Sequence, residues 1–271
     1  MPTRIPQPED FASLAPAITV GLAYPEVPET TTAILILFHG LGDFEEAYTG
    51  LAKTLALPGV MGISVRGVTP LPPALLGLSD DDEMPTRHFH WGDDLTISPT
   101  TGELELDPGF TKTTDAVLQK LINGVLIEKC GWDTRDMLMF GYGQGGSVAL
   151  GLASRLRDGE QVAGVEDGDN AAGRVFKGIV SVGGPLPASM VPSISSREKS
   201  RTPVLVCHGR SSEAVDEEAM DALRSEFTDV REVKWKKGND GMPDSRGGNA
   251  ANHAVLCRTA ARCLAAFIIN E

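Results

Sequence analysis

The feature that most constrains the fold is the run at 33–38, Ala-Ile-Leu-Ile-Leu-Phe, in which all six side chains are apolar. A strand with one wet face alternates apolar and polar residues. An unbroken apolar run of strand length belongs to a strand covered on both faces. Further strand-length runs occupy 61–65, 136–140, 176–182, 203–208 and 230–235. Between them 44–55, 111–129, about 145–157, 219–227 and 250–269 read as helices. The longest internal one carries Ala116, Val117, Leu118, Leu121, Ile122, Val125 and Leu126 at helical spacing, and Cys130-Gly131 stops it. This alternation predicts an α/β fold: a mostly parallel central sheet flanked by helices on both faces. Residues 18–22 are expected to add an antiparallel strand at the start.

With 271 residues the chain is long enough for one large domain with a sizeable core. The expectation is a single domain over 1–271 with an insertion at about 77–110. There Leu95-x-Ile97 and Leu104-x-Leu106 alternate around Pro99-Thr100-Thr101-Gly102 in the manner of a hairpin. Residues 79–83 and 158–173 are acidic and read as solvated surface loops. Glycine (30) and proline (18) make the chain loop-rich without reaching a low-complexity composition.

A net charge of −13 disfavours phosphate-tracking nucleic-acid binding and docking on anionic membranes, and favours a basic protein partner. Cys130, Cys207, Cys257 and Cys263 form no C-x-x-C pair, which suits a reducing compartment. The first ten residues lack a charged-then-apolar signal, no apolar run nears ~20 residues, and Phe-Ile-Ile-Asn-Glu at the end is no lipidation or peroxisomal signal. A soluble cytoplasmic protein without membrane insertion is expected, with the nucleus left open.

The sharpest local motif is Gly141-Tyr142-Gly143-Gln144-Gly145-Gly146, set between a buried strand and a helix. Its spelling satisfies G-x-G-x-x-G, the dinucleotide fingerprint, which also requires an acid about 20 residues on at the end of the next strand. That strand ends in Val182-Gly183-Gly184-Pro185, with no acid, and the turn comes after several βα units. The alternative is a nucleophile elbow, G-x-S-x-G, a strained strand-to-helix turn that small flanking residues permit. The remaining motifs fit the elbow. Phe38-His39-Gly40-Leu41-Gly42-Asp43 follows the first buried strand, Cys207-His208-Gly209 ends a later one, and Asp240-Gly241-Met242-Pro243-Asp244-Ser245 follows the last.

At these residues the chain resembles the acyl-protein thioesterase/carboxylesterase branch of the α/β-hydrolases. That family reads H-G-L-G-D, then G-F-S-Q-G-G, C-H-G-x-x-D and G-M-x-H-S, and Trp91-Gly92-Asp93 is similar to its W-F-D segment. The resemblance spans roughly 34–268 and implies the α/β-hydrolase fold. It also implies oxyanion-hole N–H groups at Leu41 and Gln144 and a pocket walled by His39, Trp91, Tyr142 and Met242.

The departures fall on the triad. Gly143 stands where the family has its serine, Ser212 where it has its aspartate, and Asp244 where it has its histidine. Acyl transfer needs a nucleophile, a base within reach and an acid to orient that base. Of five histidines, His39 and His208 precede glycines in turns, where backbone bonding is the ordinary role. His88 and His90 are expected on a solvated groove rim beside Asp93 and Asp94 rather than on a metal, and His253 on the surface at a helix start. Ser147 is expected to face the sheet or to bond a backbone carbonyl, and Cys207 to be inert core. One engineered exchange at 143 would leave Ser212 and Asp244 unexplained. The reading is a pseudo-hydrolase acting by binding an acyl-type small molecule or a basic protein, with no cofactor and no metal. The alternative is an active ester or thioester hydrolase with a relocated triad.

Overall fold

The computed structural model describes residues 2–72, 75, 87–95, 97, 104–156, 174–193, 198–236, 238 and 240. In chain order these give β1 (Val20–Ala23), β2 (Ala33–Phe38), α1 (Glu45–Leu55), β3 (Val60–Val65), β4 (Thr69–Pro70) and β5 (Phe89–His90). Next come α2 (111–129), β6 (Met137–Tyr142), α3 (Gln144–Arg155) and β7 (Gly178–Val182). β8 (Val204–Gly209), α4 (Glu217–Glu226) and β9 (Val230–Trp235) complete the set. The acidic stretches 79–83 and 158–173, the helix expected over 250–269, and Met242, Asp244 and His253 lie outside the described residues.

Seven strands form one sheet in the order β1-β3-β2-β6-β7-β8-β9. All neighbours run parallel except β1, which pairs antiparallel with β3, Val20 opposite Val65. The six apolar residues of β2 are all buried, and the pleat divides them between two cores. Ile34, Ile36 and Phe38 pack with α2, α3 and α4, whereas Ala33, Leu35 and Leu37 pack with Tyr48 and Leu51 of α1. Helices therefore cover both faces, and no polar alternation was available to β2.

Three elements differ in detail from the sequence expectation. The start of α4 lies at Glu217, ahead of the first periodic apolar residue, because the Asp216 carboxylate accepts the Ala219 N–H (2.8 Å) and caps the helix there. α2 buries the seven apolar residues named above, but only its first turn is α-helical. From Asp115 to Lys129 it has π-type geometry, a run far longer than the single-turn bulges in which that geometry is commonly found. β7 begins at Gly178, where Phe176 before it is drawn to a side chain and Lys177 already reaches the foot of β6. The Phe176 N–H goes to Thr202 Oγ1 and the Lys177 N–H to the Met137 carbonyl. Within the expected insertion, Ile97 and Leu104 pair antiparallel.

Parallel pairing brings the carboxyl ends of the strands to one edge, with Phe38 opposite Gly141, Tyr142 opposite Val182 and Gly209 opposite Trp235. In an open α/β sheet this edge is where ligands bind.

Candidate functional site

The turn between β6 and α3 lies at that edge. Gly143 adopts φ 51°, ψ −122°, a region that side chains rarely occupy, and it is held there at both ends. Its N–H donates to the Val182 carbonyl (2.7 Å), and its own carbonyl accepts from Gly146 N (2.8 Å) and Ser147 N (3.1 Å). The flanking glycines are sterically required. A Cβ on Gly141 would run into the Gly145 carbonyl, and one on Gly145 into the carbonyls of Phe38 and His39. At Gly143 a Cβ would meet nothing within 4 Å among the described residues. The turn thus packs closely beneath its tip and opens above it.

The loop after β2 lies alongside. Gly42 N donates to the Phe89 carbonyl (2.8 Å), Asp43 N to the Gly40 carbonyl (3.2 Å), and Phe89 N to the Asp43 carbonyl (3.1 Å). Among the described residues, none of the bonds fixing this loop uses the Leu41 N–H, and the Leu41 side chain is 41 % exposed. The Gln144 N–H is the first of α3, where a helix offers its N–H groups no internal acceptor. The Gln144 side chain ties the turn to the 91 segment, its Oε1 accepting Trp91 N at 2.8 Å.

His39 and Trp91 form the support behind the turn, both fully buried. Trp91 Nε1 donates to the His39 carbonyl (2.8 Å), and the two rings lie 4.9 Å apart. His39 Nδ1 lies 2.7 Å from the Gly40 carbonyl, so it carries the proton, while Nε2 accepts from Gly67 N (2.8 Å). Burial holds its pKa below the ordinary histidine value. With both nitrogens engaged and the ring out of solvent, His39 is a neutral structural group. Tyr142 is half-buried, its ring against Gly40.

The expectation of a solvated rim is corrected at His90, whereas His88 stays partly exposed. His90 is 2 % exposed, because it lies in β5 opposite Thr69, and burial lowers its pKa. His88 Nδ1 lies 2.7 Å from the Gly42 carbonyl. Asp93 instead caps α2, its carboxylate accepting the N–H groups of Thr111 (2.7 Å) and Lys112 (2.8 Å). Burial pushes Asp93 upward, and those donors outweigh it, leaving the carboxyl below its usual range. Among the described residues no group of three His, Cys, Asp or Glu is placed to hold a metal.

A second set of residues gathers after β7 and β8. Ser212 Oγ donates to Asp240 Oδ2 (2.6 Å) and accepts from Val215 N (2.9 Å), while Asp240 Oδ1 accepts from Gly209 N (2.9 Å). Asp240 lies against Gly183, and Gly184 lies against the Gly143 carbonyl, so this set borders the turn through two glycines. His208 is 1 % exposed, with Nδ1 3.0 Å from the Gly209 carbonyl and Nε2 2.9 Å from Glu232 Oε1. The His208 contact holds the Glu232 carboxyl below its usual range. Sequence reading missed Asp240 as a partner of Ser212 and Glu232 as a partner of His208. Asp240 had a signal in its place beside Gly241-Met242, whereas Glu232 had none. Ser147 is buried, as the helix register requires. Cys207 and Cys130 are both buried, and neither forms a disulfide among the described residues.

Comparison with known proteins adds three findings. A family model described as phospholipase/carboxylesterase matches residues 23–167, which include the turn and stop short of Ser212 and Asp240. An uncharacterised hydrolase of Schizosaccharomyces pombe is 32 % identical over 157 residues, 58 % of this chain and 55 % of its own length. The chain spans about half the length of the curated relatives it matches. Among solved structures, acyl-protein thioesterase 2 of Zea mays aligns at TM-score 0.54 and 20 % identity, over 90 % of this chain and 98 % of its own. Esterase PE8 aligns at TM-score 0.59 and 16 % identity, over 92 % and 99 %. At such identities the likeness is one of fold.

Proposed function

The chain belongs to the phospholipase/carboxylesterase family of α/β-hydrolases, and we propose from that premise that it binds an acyl-type ligand at the Gly143 turn without hydrolysing it. The observation that carries this reading is the turn itself. The backbone of a nucleophile elbow is built in full, and the residue at its tip has no side chain to attack with. In this reading Ser212 and Asp244 stand where the family's acid and base would be, and the N–H groups of Leu41 and Gln144 receive the ligand's carbonyl oxygen. The geometry around Ser212 supports it, since the hydroxyl is spent on Asp240 and Val215. So does that of His39 and His208, each with both ring nitrogens engaged. Loss of a nucleophile or base alone costs on the order of 10⁶ in turnover in a serine protease, leaving ~10³–10⁴ over water from binding and the oxyanion hole.

The test is an ester and thioester hydrolysis assay beside fluorophosphonate labelling of the folded protein. The expected result is no turnover above background and no label, with a saturable signal for a fatty acyl ligand. Labelling or turnover that vanishes on one substitution would establish the alternative, a hydrolase with a relocated triad. We also propose a cytoplasmic setting and a basic protein partner, supported by the absence of a disulfide among the described residues and by the charge of −13. Capture by immobilised chain should weaken as salt rises, and a salt-insensitive partner would sink that part.

A further inference from the structure

β9 ends the sheet, and among the described residues no strand pairs with its outer side. It is six residues long and exposed from Arg231 to Lys234, whereas β1, at the other edge, has four residues and none of them exposed. The open surface on β9 is partly main chain, since Glu232 is exposed although its side chain is only 28 % so. The Val204 N–H donates to the Asp229 carbonyl (2.9 Å). By the alternation of a strand, the backbone groups of Arg231, Val233 and Trp235 then turn toward β8, and those of Val230, Glu232 and Lys234 turn outward. A row of outward N–H and C=O groups is a template for another strand. Beyond 240 the sequence reads as a helix over 250–269, and a helix, with its backbone bonds closed internally, supplies no such strand. We propose that the pairing strand is β9 of a second copy of this chain, antiparallel about a two-fold axis through Val233.

Charge complementarity carries the argument. A contact across a two-fold axis must complement itself, and within the exposed stretch 231–234 the sequence does so about Val233 alone. Centred there, Glu232 faces the partner's Lys234, and Lys234 faces the partner's Glu232. Both residues turn their backbone groups outward, so each such pair exchanges two main-chain hydrogen bonds. Val233, 43 % exposed, meets the partner's Val233 in the closer, unbonded pair. An axis through Arg231, Glu232 or Lys234 would set that charge opposite its own copy, which destabilises a strand pair. Within one chain Glu232 already meets His208 (2.9 Å), Arg224 (3.4 Å) and Lys234 (3.6 Å), and Lys234 is 49 % exposed. Pairing brings a second lysine to each Glu232, so that four charges alternate across the axis. The axis stands perpendicular to the sheet, and β9 is three strands from β6. The two Gly143 turns therefore lie at opposite edges of the joined sheet, away from the contact.

Analytical ultracentrifugation of the full chain tests this, in about 150 mM salt, where a Debye length of about 8 Å screens the repulsion between two chains of charge −13. Wild-type chain should dimerise at high micromolar concentration. Lys234→Glu and Glu232→Lys should each weaken the dimer about tenfold or more, since either exchange enters the contact twice and opposes like charges. Mixing the two variants should restore dimers, because each chain then offers the charges the other lacks, a recovery no misfolded chain would give. Lys234→Pro removes an outward N–H, leaves the pairing with β8 intact and should also abolish the dimer. Circular dichroism shows which variants fold; if Glu232→Lys does not, the two exchanges at Lys234 decide. A monomeric wild type overturns the proposal, assigning the edge to the chain's own residues beyond 240 or to charges that guard it against pairing. A dimer indifferent to both exchanges at Lys234 overturns it by placing the contact elsewhere, as does a mixture of the two folded charge variants that stays monomeric. None of these readouts involves turnover or the Gly143 turn.

Discussion

Gly143 sits at φ 51° with no described atom within 4 Å of where a Cβ would point, so the penalty for a side chain there is one of backbone strain and not of collision. Gly143→Ser should therefore cost about 1–3 kcal/mol, read from urea denaturation, and on the proposed reading should yield no esterase activity, since Asp244 stands where the family has its base. A serine that folds without penalty would show that the turn relaxes. The turn was legible in the sequence as a contiguous motif in which Gly141 is dictated by the backbone of Gly145 and Gly146 just ahead, whereas the need for Gly145 comes from the distant carbonyls of Phe38 and His39. Asp240 and Glu232 were not, because each meets its partner across 24 or more residues, where no local spacing exists. His39 was legible as a turn histidine. Its depth was not, since Trp91 covers it from 52 residues away.

At the scale of elements, α1 is joined to the end of β3 by charge as well as by packing. Arg66 donates to both oxygens of Glu45 (2.7 and 2.5 Å), and Ser64 Oγ donates to the Glu45 carbonyl (2.7 Å). The Glu45 side chain is 6 % exposed and Arg66 30 %, so removing the arginine strands a buried carboxylate. Arg66→Ala should cost about 2–3 kcal/mol, at or just below the bottom of the range for breaking a fully buried pair because Arg66 is partly wet. A loss below half of that in chemical denaturation would show that water replaces the guanidinium. The strand run at 33–38 and the apolar positions of α2 could be read directly, because burial on both faces and helical spacing leave periodic marks. The π-type geometry of α2 could not, since the same residues would line one face of an α-helix. The beginning of α4 was misplaced for a related reason: a polar cap, Asp216, decides it, and apolar periodicity starts only afterwards.

For the molecule as a whole, the segment before β1 is fastened to the end of α2 through one buried carboxylate. Asp10 accepts both Arg4 nitrogens (2.6 and 2.7 Å) and Gln7 N (2.8 Å), and Lys129 lies 3.2 Å away. Arg4 above all holds the Asp10 carboxyl well below the ordinary range. A lowered folded pKa means stability that is complete above the unfolded value of 3.8 and is lost as pH falls through the folded one. His39 and His90 act in the same direction higher up, since burial keeps both neutral in the fold while the unfolded chain takes up protons below 6.5. The melting temperature should accordingly decline in two stages as pH drops, first beneath about 6.5 and again beneath about 4. His39→Gln should flatten the first stage and Asp10→Asn the second; a profile unchanged by either would mean that other groups set it. Trp91 has one more consequence. Three tryptophans are present, and Trp91 is tied to the turn twice, by its backbone N–H on Gln144 and its indole N–H on the carbonyl beneath the tip. A molecule seated at the tip that draws on Gln144 shifts the surroundings of an indole it never touches. The protein thereby carries its own fluorescent gauge of occupancy, readable without a label and without any reaction taking place.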